Sequence, residues 1–165
     1  MDERLTISDL VSKHSRIKGS VIELCNKSIN HRQVDVETSD RISTKIVKWT
    51  NEVESALEVN ARGSLCLDES SQLILGIFKD EIVISLNRPR LTAPRDSAVY
   101  GSALQTCIAS SRSIIKTLAS AVEQNEAIQL TWPSFTWATW MSALIIIYAT
   151  TEGELKPSVA LSWVF

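Results

Sequence analysis

Cys25, Cys66 and Cys107 are the three thiols of this 165-residue chain, each about forty residues from the next. Zinc sites and dithiol redox motifs need ligands a few residues apart, so this spacing writes neither chemistry. Isolated thiols suit a reducing compartment, where each serves as a small core residue. His14 and His31 are the only histidines. His14 falls on an apolar stripe and is expected to be a core or boundary histidine rather than a general base. The acidic pairs Asp68-Glu69 and Asp80-Glu81 are adjacent rather than facing, and are expected to be solvated. No HExxH, GxSxG, P-loop or GxGxxG motif occurs. The chain is not expected to be an enzyme.

Two other groups of residues invite binding. Arg88, Arg90 and Arg95 surround Pro89 and Pro94. Such a cluster can hold an anion bidentately, or tie down helix ends by bonding exposed carbonyls. The second use is the expected one. Pro89 should stop the preceding helix and leave carbonyls near Ile84 to Leu86 unpaired, with Arg88 placed to serve them or to meet Asp96. Asn87, Arg88 and Pro89 are therefore read as a structural junction. The second group is Trp132, Phe135, Trp137 and Trp140, of which Trp132, Trp137 and Trp140 are the binding candidates. Aromatic clusters line ligand pockets and fill cores alike, and core is the favoured reading.

The elements that would position these residues are helical. Ile7, Leu10, His14, Ile17, Val21 and Leu24 alternate gaps of three and four, as do Ile42, Ile46, Trp49, Val53 and Leu57. The first stripe is narrow enough for a homodimer seam, although packing on the domain's own core is preferred. Thr6 or Ser8 is expected to cap the first helix, and Ser39 or Asp40 to begin the second, after a loop from Asn30 to Ser39. Gln72 to Leu86 reads as a third helix despite its β-branched Ile82-Val83-Ile84. An extended stretch from Pro89 to Pro94 follows. Asp96 or Ser97 then caps a long helix whose apolar face includes Tyr100, Leu104, Cys107 and Ile114. A fifth helix, Ser134 to about Thr150, is apolar nearly all round, which predicts a place in the middle of the core.

Composition agrees with an all-α fold: glycine and proline number only five and four. The expected architecture is an irregular bundle of at least five helices. All of residues 1–165 would belong to one helical domain that is itself part of a larger one. With 17 basic and 19 acidic side chains, phosphate backbones find little to hold, and direct DNA binding is not expected. Ala127 to Thr151 carries no charge, but Gln129, Pro133 and several hydroxyl residues interrupt it, so a membrane span is disfavoured. The final Leu161-Ser162-Trp163-Val164-Phe165 reads as the cut end of a longer protein or as a docked terminus.

Several motifs taken in order resemble the middle homology region of fungal binuclear zinc-cluster transcription factors. They are Leu86-Asn87-Arg88-Pro89-Arg90-Leu91, the helix face of Tyr100, Leu104, Cys107 and Ile108, and Leu130-Thr131-Trp132-Pro133 leading into a Trp-rich helix that ends at Tyr148-Ala149. The best-matched segment is 72–150. Trp137 and Trp140 depart from the Phe-x-x-Gly type patterns seen elsewhere in that family. The resemblance implies a nuclear, non-catalytic domain that restrains or tunes activation. Its implied partners are other parts of the same transcription factor, the transcriptional machinery and a small-molecule effector. Zinc is expected only in a six-cysteine DNA-binding cluster that this chain does not contain; no cofactor is expected within the chain itself. A helical small-molecule-binding module with an aromatic pocket is the competing reading, and a membrane-associated helical protein a remote one.

Overall fold

The computed structural model describes residues 3–31, 36–63, 67–123 and 133–163. Among them are six α-helices and no strand: α1 (Glu3–His31), α2 (Val36–Ala61), α3 (Glu69–Asn87), α4 (Ala98–Glu123), α5 (Pro133–Thr151) and α6 (Pro157–Leu161). A 3₁₀ turn, Arg88–Thr92, follows α3. The all-α, multi-helix expectation holds. The chain divides into two units, Met1–Ile82 and Val83–Phe165, with the boundary inside α3.

In the first unit, α1 and α2 run antiparallel, since Thr6 shares a groove with Val59 and Ser20 shares one with Lys45. The predicted stripes supply the buried faces: Leu10, His14, Ile17, Val21 and Leu24 from α1, and Ile42, Ile46, Trp49 and Val53 from α2. Ile7 and Leu57 are half-buried at the ends. The α1 stripe is thus spent within the chain. Trp49 Nε1 donates to the Leu10 carbonyl at 2.9 Å. Lys13 joins the two helices by an ion pair with Glu52 at 2.8 Å, and Lys79 joins α3 to Glu54 of α2 at 3.2 Å. Where α2 gives way to α3, Asn60 Oδ1 accepts from the Leu67 amide, and Asp68 Oδ1 caps α3 by accepting from the Ser71 amide at 2.9 Å.

Several boundaries differ from expectation for one physical reason. Thr6 and Ser8 lie inside α1, and Ser39 lies buried inside α2, because helical Ser and Thr need not act as caps. Several helical hydroxyls donate instead to the carbonyl four residues back, as Ser15 does to Val11, Thr44 to Asp40 and Thr139 to Phe135. The predicted loop from Asn30 shrinks accordingly: α1 runs to His31 and α2 begins at Val36.

In the second unit, α4 and α5 are antiparallel and linked by the Tyr100 and Tyr148 hydroxyls, 3.0 Å apart. Small residues make up much of the two buried faces: Ala103, Cys107 and Ser111 on α4, Ala138, Ser142 and Ala149 on α5. Ser97 caps α4, accepting from the Tyr100 amide while donating to the Pro94 carbonyl. At the far end of α5, Gly153 takes a φ of 78°, which lets the Glu154 amide return to the Ala149 carbonyl at 3.0 Å. Trp163 is buried and carries the Arg112 guanidinium 5.3 Å from its ring centroid.

Candidate functional site

Three places hold chemically distinctive side chains. The first is a buried cluster in the first unit. His14 is 3 % exposed and Glu81 2 %. The His14 ring stacks on Phe78 at 4.3 Å between centroids and lies 5.3 Å from Trp49. Its Nε2 is 3.9 Å from a Glu81 carboxylate oxygen, and Lys18 reaches that oxygen at 3.1 Å from a partly exposed position. Burial between the rings, helped by the Lys18 charge, holds the imidazole down at a pKa of about 4. Such a histidine is neutral at pH 7 and closed to substrate, so it is a core group, as expected. Glu81 corrects the expectation of a solvated acid. Its neighbour Asp80 misleads, whereas the gap of three from Phe78 puts Glu81 on the apolar face.

The second place is the junction after α3. Asn87, not Arg88, serves the helix end: Asn87 Nδ2 donates to the Val83 carbonyl at 2.9 Å. Arg88 is exposed, and its guanidinium points to the Met141 sulfur at 3.3 Å rather than to Ile84–Leu86 or Asp96. Pro89 sits in the first positions of a 3₁₀ turn instead of an extended stretch, because its fixed φ fits the first residues of a helical turn. Arg95 makes an ion pair at 2.7 Å with Glu152, whose side chain is 13 % exposed. Arg88 therefore does not tie down the helix end, contrary to the sequence expectation. Arg88→Ala should cost less than about 1 kcal/mol and no more than Arg95→Ala. Thermal melts of the two variants check this, and a larger loss for Arg88→Ala would restore Arg88 to the structural junction.

The third place is α5. Trp132 lies outside the described residues. Trp137 and Trp140 are exposed by 48 % and 63 %, together with Leu144 and Ile147, while Phe135, Met141 and Ile145 are buried on the opposite side. α5 is thus apolar all round without being enclosed, correcting the prediction that it sits in the middle of the core. α3 is the more enclosed helix, with Leu75, Ile77, Ile82 and Ile84 each at 1 % exposure or less. The two Trp side chains lie on an open helix face, and neither lines a cavity described among these residues. Cavities of about 490 and 290 Å³ lie along the α1–α2 groove; among the described residues Trp49 is the only aromatic that lines them.

Cys107 is fully buried on α4, and burial pushes its thiol up to about 12, so it is no nucleophile at neutral pH. Tyr100 is likewise raised to about 12 through its hydrogen bond to Tyr148. Among the described residues no group of three or more His, Cys, Asp or Glu could hold a metal ion. None of the described helices is long and apolar enough to cross a membrane.

Compared with known proteins, the chain is similar to the Probable transcription factor FUP6 of Fusarium proliferatum (strain ET1), with 28 % identity over 146 residues. The match takes in 83 % of this chain and 20 % of that protein, so the chain spans about a fifth of the length of the curated relative it matches. No protein-family model and no solved structure matches.

Proposed function

We propose that this chain is a non-catalytic regulatory segment of a fungal zinc-cluster transcription factor, part of its middle homology region, which controls activation in response to a metabolite or a partner. The observation that carries the reading is the similarity to a protein named as a fungal transcription factor across 83 % of the chain. Similarity of that extent covers most of the chain rather than a short motif. The motif order from Leu86 to Ala149 supports the finer assignment. In this reading the chain works in the nucleus, contacts other parts of its transcription factor and the transcriptional machinery, and leaves DNA to a separate zinc cluster. Its near-neutral charge suits protein contacts better than phosphate ones. The exposed Trp137, Trp140, Leu144 and Ile147 give it a surface for such contacts.

A reporter experiment tests the reading. The chain is placed between a heterologous DNA-binding domain and a strong activation segment in fungal cells. Reporter output should fall several-fold, or become dependent on nutrient conditions, relative to a flexible linker of equal length. Output equal to the linker control under every condition would refute a regulatory role.

A further inference from the structure

The groove between α1 and α2 is sorted by charge along its length. At one rung Lys13 crosses it, paired with Glu52 at 2.8 Å and with Asp9 at 2.7 Å. In the antiparallel register set by that rung, Arg16 comes level with Trp49 about one turn away. There α2 offers Lys45 and Lys48 and no further acid. These four cations line one cavity of about 290 Å³, floored by the buried Ile17 and Trp49. Among the described residues Glu52 is the only acid in its lining, and Lys13 already holds it. The lining thus carries a surplus of three positive charges, on a chain whose formal net charge is -2. Lys13, Lys18 and Lys79 each have a carboxylate partner, whereas among the described residues Arg16, Lys45 and Lys48 have none. Like charges three residues apart on one helix, as in Lys13–Arg16 and Lys45–Lys48, weaken it slightly. A bound anion would relieve that repulsion.

We propose that this cavity binds a compact organic anion of two or three charges, carboxylate or phosphate, between Arg16 of α1 and Lys45 and Lys48 of α2. The volume lies at the low end of small-molecule pockets, which run from about 300 to about 1,000 Å³. Charge along the groove selects a compact occupant over a long one. The Lys13 crossing closes one end of the cavity. Beyond it the adjoining stretch is lined by Asp9 and Glu52, with Lys48 as its one cation. An acidic peptide or a nucleic-acid strand laid along the groove would run onto those carboxylates, whereas a compact anion stays clear of them. Ile17 and Trp49 give the carbon skeleton of an organic anion an apolar floor that inorganic phosphate would not use. Arg16, Lys45 and Lys48 are exposed, so water and salt screen the attraction. The expected dissociation constant is on the order of 100 µM at low salt. The site does not depend on the transcriptional reading, and its test succeeds or fails independently of the reporter experiment.

Calorimetric titration of the full chain with citrate and, separately, with phenyl phosphate tests the proposal. At least one probe should bind at a single site per chain, and the one that binds more tightly identifies the preferred anionic group. Raising the ionic strength from about 20 to about 200 mM should weaken binding several-fold. Arg16→Gln, Lys45→Gln and Lys48→Gln should each weaken it ~3–10-fold. Their circular dichroism spectra should be unchanged, because all three positions are exposed. Arg62→Gln, which removes an exposed cation outside the cavity, should leave the affinity as it was. Failure of both probes to bind, an affinity indifferent to the three cavity substitutions, or an equal loss in Arg62→Gln would each overturn the proposal. So would an oligoglutamate peptide or duplex DNA that binds more tightly than both probes, since either would mean that the groove takes a long partner.

Discussion

Trp49→Ala should cost the fold about 3–5 kcal/mol, whereas Trp140→Ala should cost under about 1 kcal/mol. The same side chain is removed in both, so burial alone separates them: Trp49 is 2 % exposed and Trp140 63 %. Trp49 packs beside His14 and donates its indole N–H to the Leu10 carbonyl, so its loss opens a cavity between α1 and α2. For a chain of this size the larger loss corresponds to a melting temperature lower by about 10–15 °C. Trp49→Phe keeps most of the ring and forfeits the hydrogen bond, and should fall between, at about 1–2 kcal/mol. Thermal melts measure all three. Equal losses for Trp49→Ala and Trp140→Ala would contradict the packing described for α1 and α2.

His14 should make stability fall with acid. Its pKa is about 4 in the folded chain, against an ordinary 6.5. Above 6.5 the imidazole is neutral in both states and contributes no pH dependence. As pH falls from 6.5 toward 4, the unfolded chain takes up a proton that the folded chain refuses, and stability is lost across that window. The full difference is worth about 3 kcal/mol. The groups facing the ring pull in different directions. Phe78 and Trp49 strip its water, Glu81 at 3.9 Å favours the imidazolium, and Lys18 at 3.1 Å from the same carboxylate offsets Glu81. Desolvation wins because the ring is enclosed and the carboxylate is already paired with a lysine. Urea melts between pH 7 and 5, with His14→Leu as reference, isolate the histidine from the surface carboxylates. The wild-type chain should lose stability relative to His14→Leu as pH drops. A relative gain would mean that Glu81 governs the pair.

What could be read from the sequence follows from how well each helix face is marked. Leu10, His14, Ile17, Val21 and Leu24 stand against Asp9, Lys13 and Glu23, so the buried stripe of α1 declares itself. α5 has no such marker. With no charge anywhere on it, nothing in its pattern tells Ala138, Ser142 and Ala149, which are fully buried, from Trp140 and Ile147, which are not. The small residues were the missed signal, because close packing on α4 requires them. Glu81 was hidden by Asp80 beside it, although helical spacing from Ile77 and Phe78 already put it inside. Arg88 was assigned to helix-end carbonyls on proximity, and the geometry gives that work to the shorter Asn87, whose amide reaches Val83 from within the last turn.

The most direct test of the regulatory reading is a segment exchange. The stretch of the Fusarium protein that matches this chain is replaced by the chain itself, and transcription of that protein's target genes is followed under inducing and non-inducing conditions. Equivalent helical segments predict that the chimera keeps the difference between the two conditions, while an unrelated helical bundle of equal length in the same place abolishes it. A chimera that behaves like the unrelated bundle would contradict the assignment.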